Sequence, residues 1–133
     1  RPPRSTLFPY TTLFRSQRQA TAAFYDAELR GVVTPPVAPG AVHVYHQYTV
    51  RVEAGERDRM VAALREEHGV GTGVYYPTPA HRLASLAPYA RAELPETDRA
   101  AGEVISLPVH PALTQEDRER VVAAVNAVAG AGA

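Results

Sequence analysis

Val70 to His81 reads Val-Gly-Thr-Gly-Val-Tyr-Tyr-Pro-Thr-Pro-Ala-His, and no other stretch limits the fold so sharply. Gly71 and Gly73 loosen the backbone. Val74, Tyr75 and Tyr76 favour extended structure, and Pro77 and Pro79 cannot continue a hydrogen-bonded ladder. The spacing predicts a short strand over 71–76 that ends in a stiff turn and presents His81 just past the break. A strand end with aromatic and imidazole groups at its rim is a common wall for a binding site. The same residues also satisfy an ordinary strand and turn with no site attached.

Around this run, helical and extended patterns alternate. Ala20, Ala23, Phe24 and Ala27 recur at helical spacing and predict a helix over Gln17–Arg30, stopped at Gly31. Val32–Gly40 is a proline-rich connection. Ala41–Val52 reads as a strand with Val44, His46, Tyr48, Val50 and Val52 on one face, clearest from Tyr48 onward. Glu56–His68 is a helix with Met60, Val61 and Leu64 as its stripe and Gly69 as a left-handed stop. Arg82–Ala90 has room for one helical turn, Thr97–Glu103 for a short helix, and Val104–Leu107 for a strand. Thr114 caps a last helix over Gln115–Val128, whose buried stripe is Val121, Val122, Val125 and Val128; the tail 129–133 is expected to fray. With about three strands available, the fold class is α+β: a small antiparallel or mixed sheet with helices packed on one face. The other face needs a cover, and an apolar patch there implies a missing partner domain.

The beginning is unusual. Thr-Leu-Phe occurs at Thr6–Phe8 and again at Thr12–Phe14, and Arg-Ser flanks the pair at Arg4-Ser5 and Arg15-Ser16. Residues 1–16 read as a translated adaptor joined to a reading frame, with a β-rich edge strand as the alternative. They are left out of the functional argument, which makes 17–128 the domain and 129–133 its tail.

Composition narrows the chemistry. The chain has 133 residues, a size that suits one domain with one core. Its 14 basic residues balance 14 acidic ones, so nothing electrostatic favours nucleic acid or an anionic membrane. No apolar run approaches the ~20 residues of a membrane span. With no signal peptide legible, a cytoplasmic location is the default. There is no cysteine, which excludes disulfides and thiolate metal sites. All 14 basic residues are arginine, and arginine does not form imines at ordinary pH. A mechanism that needs a Schiff-base lysine therefore cannot run on this chain alone. His43 and His46, three apart on a predicted strand, fall on opposite faces and make poor joint ligands. A site joining His46, His81 and His110 would require tertiary proximity, and no metal site is expected. Gly71 and Gly73 lack the lysine and following helix of a phosphate loop, and Ser16, Ser85 and Ser106 sit in no nucleophile elbow.

Three segments in register carry a resemblance. The first is His46-Gln47-Tyr48-Thr49-Val50-Arg51-Val52 followed by Arg57-Asp58 opening a helix. The second is Gly69 through His81. The third is Leu94-Pro95-Glu96-Thr97, then Ile105-Ser106-Leu107-Pro108-Val109-His110-Pro111 and Leu113-Thr114. Together, over about residues 17–128, they resemble the C-terminal small domain of the DegT/StrS-type nucleotide-sugar aminotransferases. Those are pyridoxal-phosphate enzymes of the aspartate-aminotransferase fold.

The resemblance implies a parent enzyme that moves an amino group, usually from glutamate, to a nucleotide-linked keto-sugar. It implies a missing large domain that binds pyridoxal phosphate, and a homodimer in which two subunits share each site. The strand end Tyr75–His81 would face the sugar nucleotide, with His81 first for a substrate hydrogen bond, Tyr76 second, and Tyr75 third as a wall. Adjacent strand residues face opposite ways, so Tyr75 and Tyr76 are not expected to line the pocket together. No catalytic, cofactor-binding or metal-ligating residue is expected in this chain, which on this reading holds no cofactor and is inactive and marginally stable by itself. Ala80 departs from the larger apolar residue usual there. The alternative is a non-catalytic α+β binding or interaction module, with the loop 34–39 and a bare sheet face as its contact surface.

Overall fold

The computed structural model describes residues 9–131, and side chains from residue 13 onward. Helix α1 spans Pro9–Glu28, strand β1 Tyr48–Arg51, helix α2 Arg57–Glu66, helix α3 Pro95–Glu103, strand β2 Val104–Leu107 and helix α4 Gln115–Gly130. Two short 3₁₀ segments, Ala80–Arg82 and Ala84–Tyr89, lie between α2 and α3.

The fold class is α+β, with a sheet of two strands among the described residues rather than the expected three. β1 and β2 pair antiparallel, with Tyr48 opposite Leu107 and Val50 opposite Ile105. Two isolated bridges flank the ladder: Val33 pairs with Arg51 on one edge, and Gly73 with Ser106 on the other. The predicted strand 71–76 is reduced to that second bridge, made by Gly73 N to Ser106 O at 3.0 Å and Ser106 N to Gly73 O at 2.7 Å. Glycines before it and prolines after it leave too few residues free to extend the ladder. The long strand 41–52 also shortens, to Tyr48–Arg51. Alternation fails upstream because Tyr45 turns into the core with φ +47° while Val44 stays half exposed.

One face of the pair carries the core. Tyr48 and Val50 of β1 and Ile105 and Leu107 of β2 join Tyr25 of α1, Met60 and Leu64 of α2, and Val121, Val122, Val125 and Val128 of α4 in a single apolar cluster. Tyr25 and Tyr48 meet edge-on with ring centroids 5.1 Å apart, a favourable aromatic geometry. Each buried hydroxyl finds a partner: Tyr25 donates to Pro108 O at 2.8 Å, and Tyr48 to Asp26 Oδ1 at 2.5 Å. The opposite face is polar and not the apolar patch that a bare sheet face would have shown. There Thr49 and Ser106 share a hydrogen bond of 2.8 Å, and Arg51 pairs with Glu103.

The helix ends follow the local chemistry. Thr114 and Asp117 form a reciprocal capping box at the start of α4. Gly69, at φ +64°, closes α2, and Arg120 donates to the His68 carbonyl at 2.9 Å. Gly31, at φ +73°, follows α1, and a Cβ there would come within 2.7 Å of Ala129 Cβ. That close approach belongs to α4, which runs past Val128 through Ala129 to Gly130. Asn126 clamps the end of α1, donating to Glu28 O and accepting from Arg30 N. Residues 9–16 continue α1 as helix, so the edge-strand alternative does not hold for them; Thr6–Phe8 lie outside the described residues. No described helix is long and apolar enough to cross a membrane.

Candidate functional site

After Gly69 the backbone runs along the outer edge of β2 and then leaves it. Val70 N bonds to Leu64 O at 2.8 Å, and Gly73 makes the bridge to Ser106. Tyr75 then folds back over Gly73, where any Cβ would collide with its ring. Glycine at 73 lets that ring lie directly on the backbone, and a side chain there would push it aside. The Tyr75 and Tyr76 rings stand edge to face, with centroids 6.0 Å apart. They are 53 % and 75 % exposed, an unusual amount of bare aromatic surface for adjacent residues.

Both tyrosines line one open cleft of about 760 Å³. The expectation that only one of them could do so is overturned, because 75–76 is not part of a strand and face alternation does not apply. The cleft is also lined by Arg18 from α1, by His46 and Gln47 from the loop before β1, and by Pro108 and His110 from the loop after β2. A tight turn sets up the His46 loop: Tyr45 N donates to His43 Nδ1 at 2.9 Å, and the His43 carbonyl accepts from Gln19 at 2.9 Å.

His81 is placed elsewhere. Its side chain is only 11 % exposed, and Nε2 lies 3.1 Å from Asp98 Oδ1. Arg82 bridges Asp98 and Glu93, each at 2.7 Å. Hydrogen bonding from Arg82, with a smaller contribution from His81, holds the Asp98 carboxyl below its ordinary value. His81 borders a separate recess of about 470 Å³ with Leu86, Tyr89 and Leu94. The structure therefore joins Tyr75, Tyr76, His46 and His110 at one cleft and leaves His81 outside it. Among the described residues no group of three potential metal ligands comes together.

Sequence reasoning missed Arg18, and it named His46 and His110 only within a three-histidine site. Arg18 is separated from the cleft's other walls by 28 residues or more of chain, so no local periodicity could connect them. The one available signal was that His46 and His110 both sit beside strand segments of the quoted motifs.

Comparison with known proteins identifies a family for the chain. Residues 8–126 match the DegT/DnrJ/EryC1/StrS aminotransferase family. A pleiotropic regulatory protein of Geobacillus stearothermophilus is 42 % identical over 126 residues, covering 89 % of this chain and 33 % of that protein. A UDP-2-acetamido-2-deoxy-3-oxo-D-glucuronate aminotransferase of Pseudomonas aeruginosa is 37 % identical, covering 90 % of this chain and 33 % of that protein. Among solved structures, ntda from Bacillus subtilis with bound cofactor PMP superposes with a TM-score of 0.82 at 28 % identity, over 91 % of this chain and 29 % of that one. The chain spans about a third of the length of the curated relatives it matches.

Proposed function

Because this chain belongs to the DegT/DnrJ/EryC1/StrS aminotransferase family, we propose that it is the small C-terminal domain of a cytoplasmic, homodimeric enzyme that transfers an amino group, from glutamate, to a nucleotide-linked keto-sugar. The observation that carries this reading is the exposed Tyr75–Tyr76 pair lining a cleft of about 760 Å³, with Tyr75 set over Gly73. Two edge-to-face rings bare to solvent are suited to pack against a sugar or a base.

Pyridoxal phosphate, the cofactor this reading implies, supplies the electron sink for amino transfer. The residues present do not fit it as a resident group. Every basic side chain is an arginine, so no side-chain amine is available for an imine. The proposed division of labour leaves the cofactor to the rest of the enzyme and gives this domain the substrate wall. Tyr76 and Tyr75 touch the sugar nucleotide. His81, the first choice from sequence, supports that wall through Asp98, since its Nε2 faces that carboxylate.

The test is made in the full-length enzyme that carries these residues. Tyr76→Ala should raise KM for the sugar nucleotide roughly tenfold, the loss of one aromatic contact of about 1.4 kcal/mol, with the cofactor absorbance unchanged. His81→Ala should lower sugar-nucleotide turnover more than cofactor binding. Rates equal to the parent's in both variants would remove this segment from the site. The 133-residue chain alone, mixed with pyridoxal phosphate, glutamate and a keto-sugar nucleotide, should give no product.

A further inference from the structure

Residues 74–78, which include both tyrosines of the cleft, make no backbone hydrogen bond among the described residues. Nor does α3 fill the space beside them. Tyr75 and Tyr76 border a second recess, of about 320 Å³, together with Thr97, Ala100 and Ala101 of that helix. A segment with neither ladder nor close packing takes its position from its two ends. One end is the Gly73 bridge to Ser106, with bonds of 3.0 and 2.7 Å. The other lies past Pro77 and Pro79, whose fixed φ angles stiffen the link to it.

That second end closes on Asp98, in the first turn of α3. Arg82 grips its carboxylate with two bonds, Nε donating to Oδ1 at 3.1 Å and Nη2 to Oδ2 at 2.7 Å. Paired bonds of this kind fix direction as well as distance. His81 Nε2, shielded from solvent, lies 3.1 Å from the same Oδ1. Arg82 Nη2 also donates to Glu93 Oε2 at 2.7 Å, so the excursion from 82 to 93 closes at the same guanidinium. The helix is a firm base for these contacts: Arg57 of α2 donates to Ala101 O at 2.8 Å, and Val52 N to Glu103 O at 3.0 Å. We infer that Asp98 is a positioning residue: through Arg82 and His81 it anchors the far end of the Tyr75–Tyr76 wall to α3 and so sets where the two rings stand in the cleft. Asp98 does not itself line that cleft. The contacts are partly exposed, so they add little to global stability, and their effect is local. That the rings hold a ligand rests on the sugar-nucleotide reading; the anchor rests only on the contacts around Asp98.

The test has two parts. In the full 133-residue chain, Asp98→Ala should shift the ring resonances of Tyr75 and Tyr76 while the thermal midpoint stays in place. Amide exchange over Ala80–Tyr89 should become roughly tenfold faster. Asp98→Glu, which keeps a carboxylate one methylene further out, should return both readings toward the parent's. If Asp98→Ala does not fold, Asp98→Asn, which keeps the shape and loses the charge, should move them in the same direction. In the full-length enzyme, Asp98→Ala should raise KM for the sugar nucleotide by up to about tenfold with kcat kept, and should add little once Tyr76 is already replaced by alanine. Ring resonances and exchange that stay unchanged in the folded variant, or KM effects of the two substitutions that simply add, would overturn the anchor. Rings that move in Asp98→Ala while Tyr76→Ala keeps the parent's KM support the anchor and end the sugar-nucleotide reading.

Discussion

The core built from the C-terminal half of α1, from α2 and α4 and from the strand pair keeps its large side chains out of water, while the stretch from Tyr75 to Leu94 does the reverse. Tyr25, Tyr48, Leu64 and Ile105 have no exposed surface, whereas Tyr76 and Tyr89 are about three-quarters exposed. Order has a different origin in each. The first region is held by contacts between residues far apart in sequence, and losing one loosens many. The second is held by 3₁₀ turns and by the Arg82 bridge to Asp98 and Glu93, interactions that stay in or near the solvent. A rigid half thus presents a softer half, and the candidate cleft lies where they meet.

The comparison is broken most directly at the centre of the packed half. Ile105→Ala should cost about 2–5 kcal/mol in urea unfolding, as for other truncations of fully buried aliphatic residues. A loss under about 1 kcal/mol would mean that this core is not close-packed.

The buried tyrosines supply the next test. Burial raises the Tyr48 hydroxyl above its ordinary value, with the bond to Asp26 adding to the rise, and burial likewise raises Tyr25. A group whose proton is held more tightly in the folded state contributes stability that is complete below its unfolded pKa, near 10 for tyrosine, and falls as pH rises beyond it. Stability should therefore be flat below about pH 9 and then decline by about 1.4 kcal/mol per pH unit for each such tyrosine. Tyr48→Phe should make the decline shallower. An alkaline slope that is the same in the variant would show that Tyr48 opens to solvent before unfolding.

Smaller still is the effect at a helix end. Thr114→Ala removes one half of the capping box on α4 and should cost about 1 kcal/mol, read as a lower melting temperature with unchanged denaturant slope. An unchanged melting temperature would show that Asp117 alone satisfies that terminus.

The least global change is expected in the softer half. Arg82→Ala should leave the cooperative transition where it is, because exposed ion pairs contribute little. Amide exchange over Ala80–Tyr89 should nevertheless accelerate. The Asp98 carboxyl is held below its ordinary value, so whatever it contributes is present above the unfolded carboxylate range and lost as pH falls. A shifted global midpoint would show that the two halves unfold as one.

Legibility followed the same divide. The N-cap at Thr114, the helix stops at Gly31 and Gly69, the valine stripe of α4 and the strand Val104–Leu107 could all be read from a few neighbouring residues. Each is set by local sterics or by helical spacing. The strand over 71–76 was misread because propensity says nothing about partners, and among the described residues only Ser106 pairs with that segment. His81 could be picked out as a residue at a break in the chain, yet its direction depends on Asp98, which α3 brings from 17 positions away.

What the order of residues determined alone was the helical framework, the family motifs and the absence of any imine-forming side chain, because each depends on residue identity or on near neighbours. Tertiary structure decided which residues share the cleft: Arg18, His46, His110, Tyr75 and Tyr76, with His81 outside it. Those meetings span tens of residues of chain. Their geometry comes from packing α1 and α4 on the strand pair, and no local pattern encodes it.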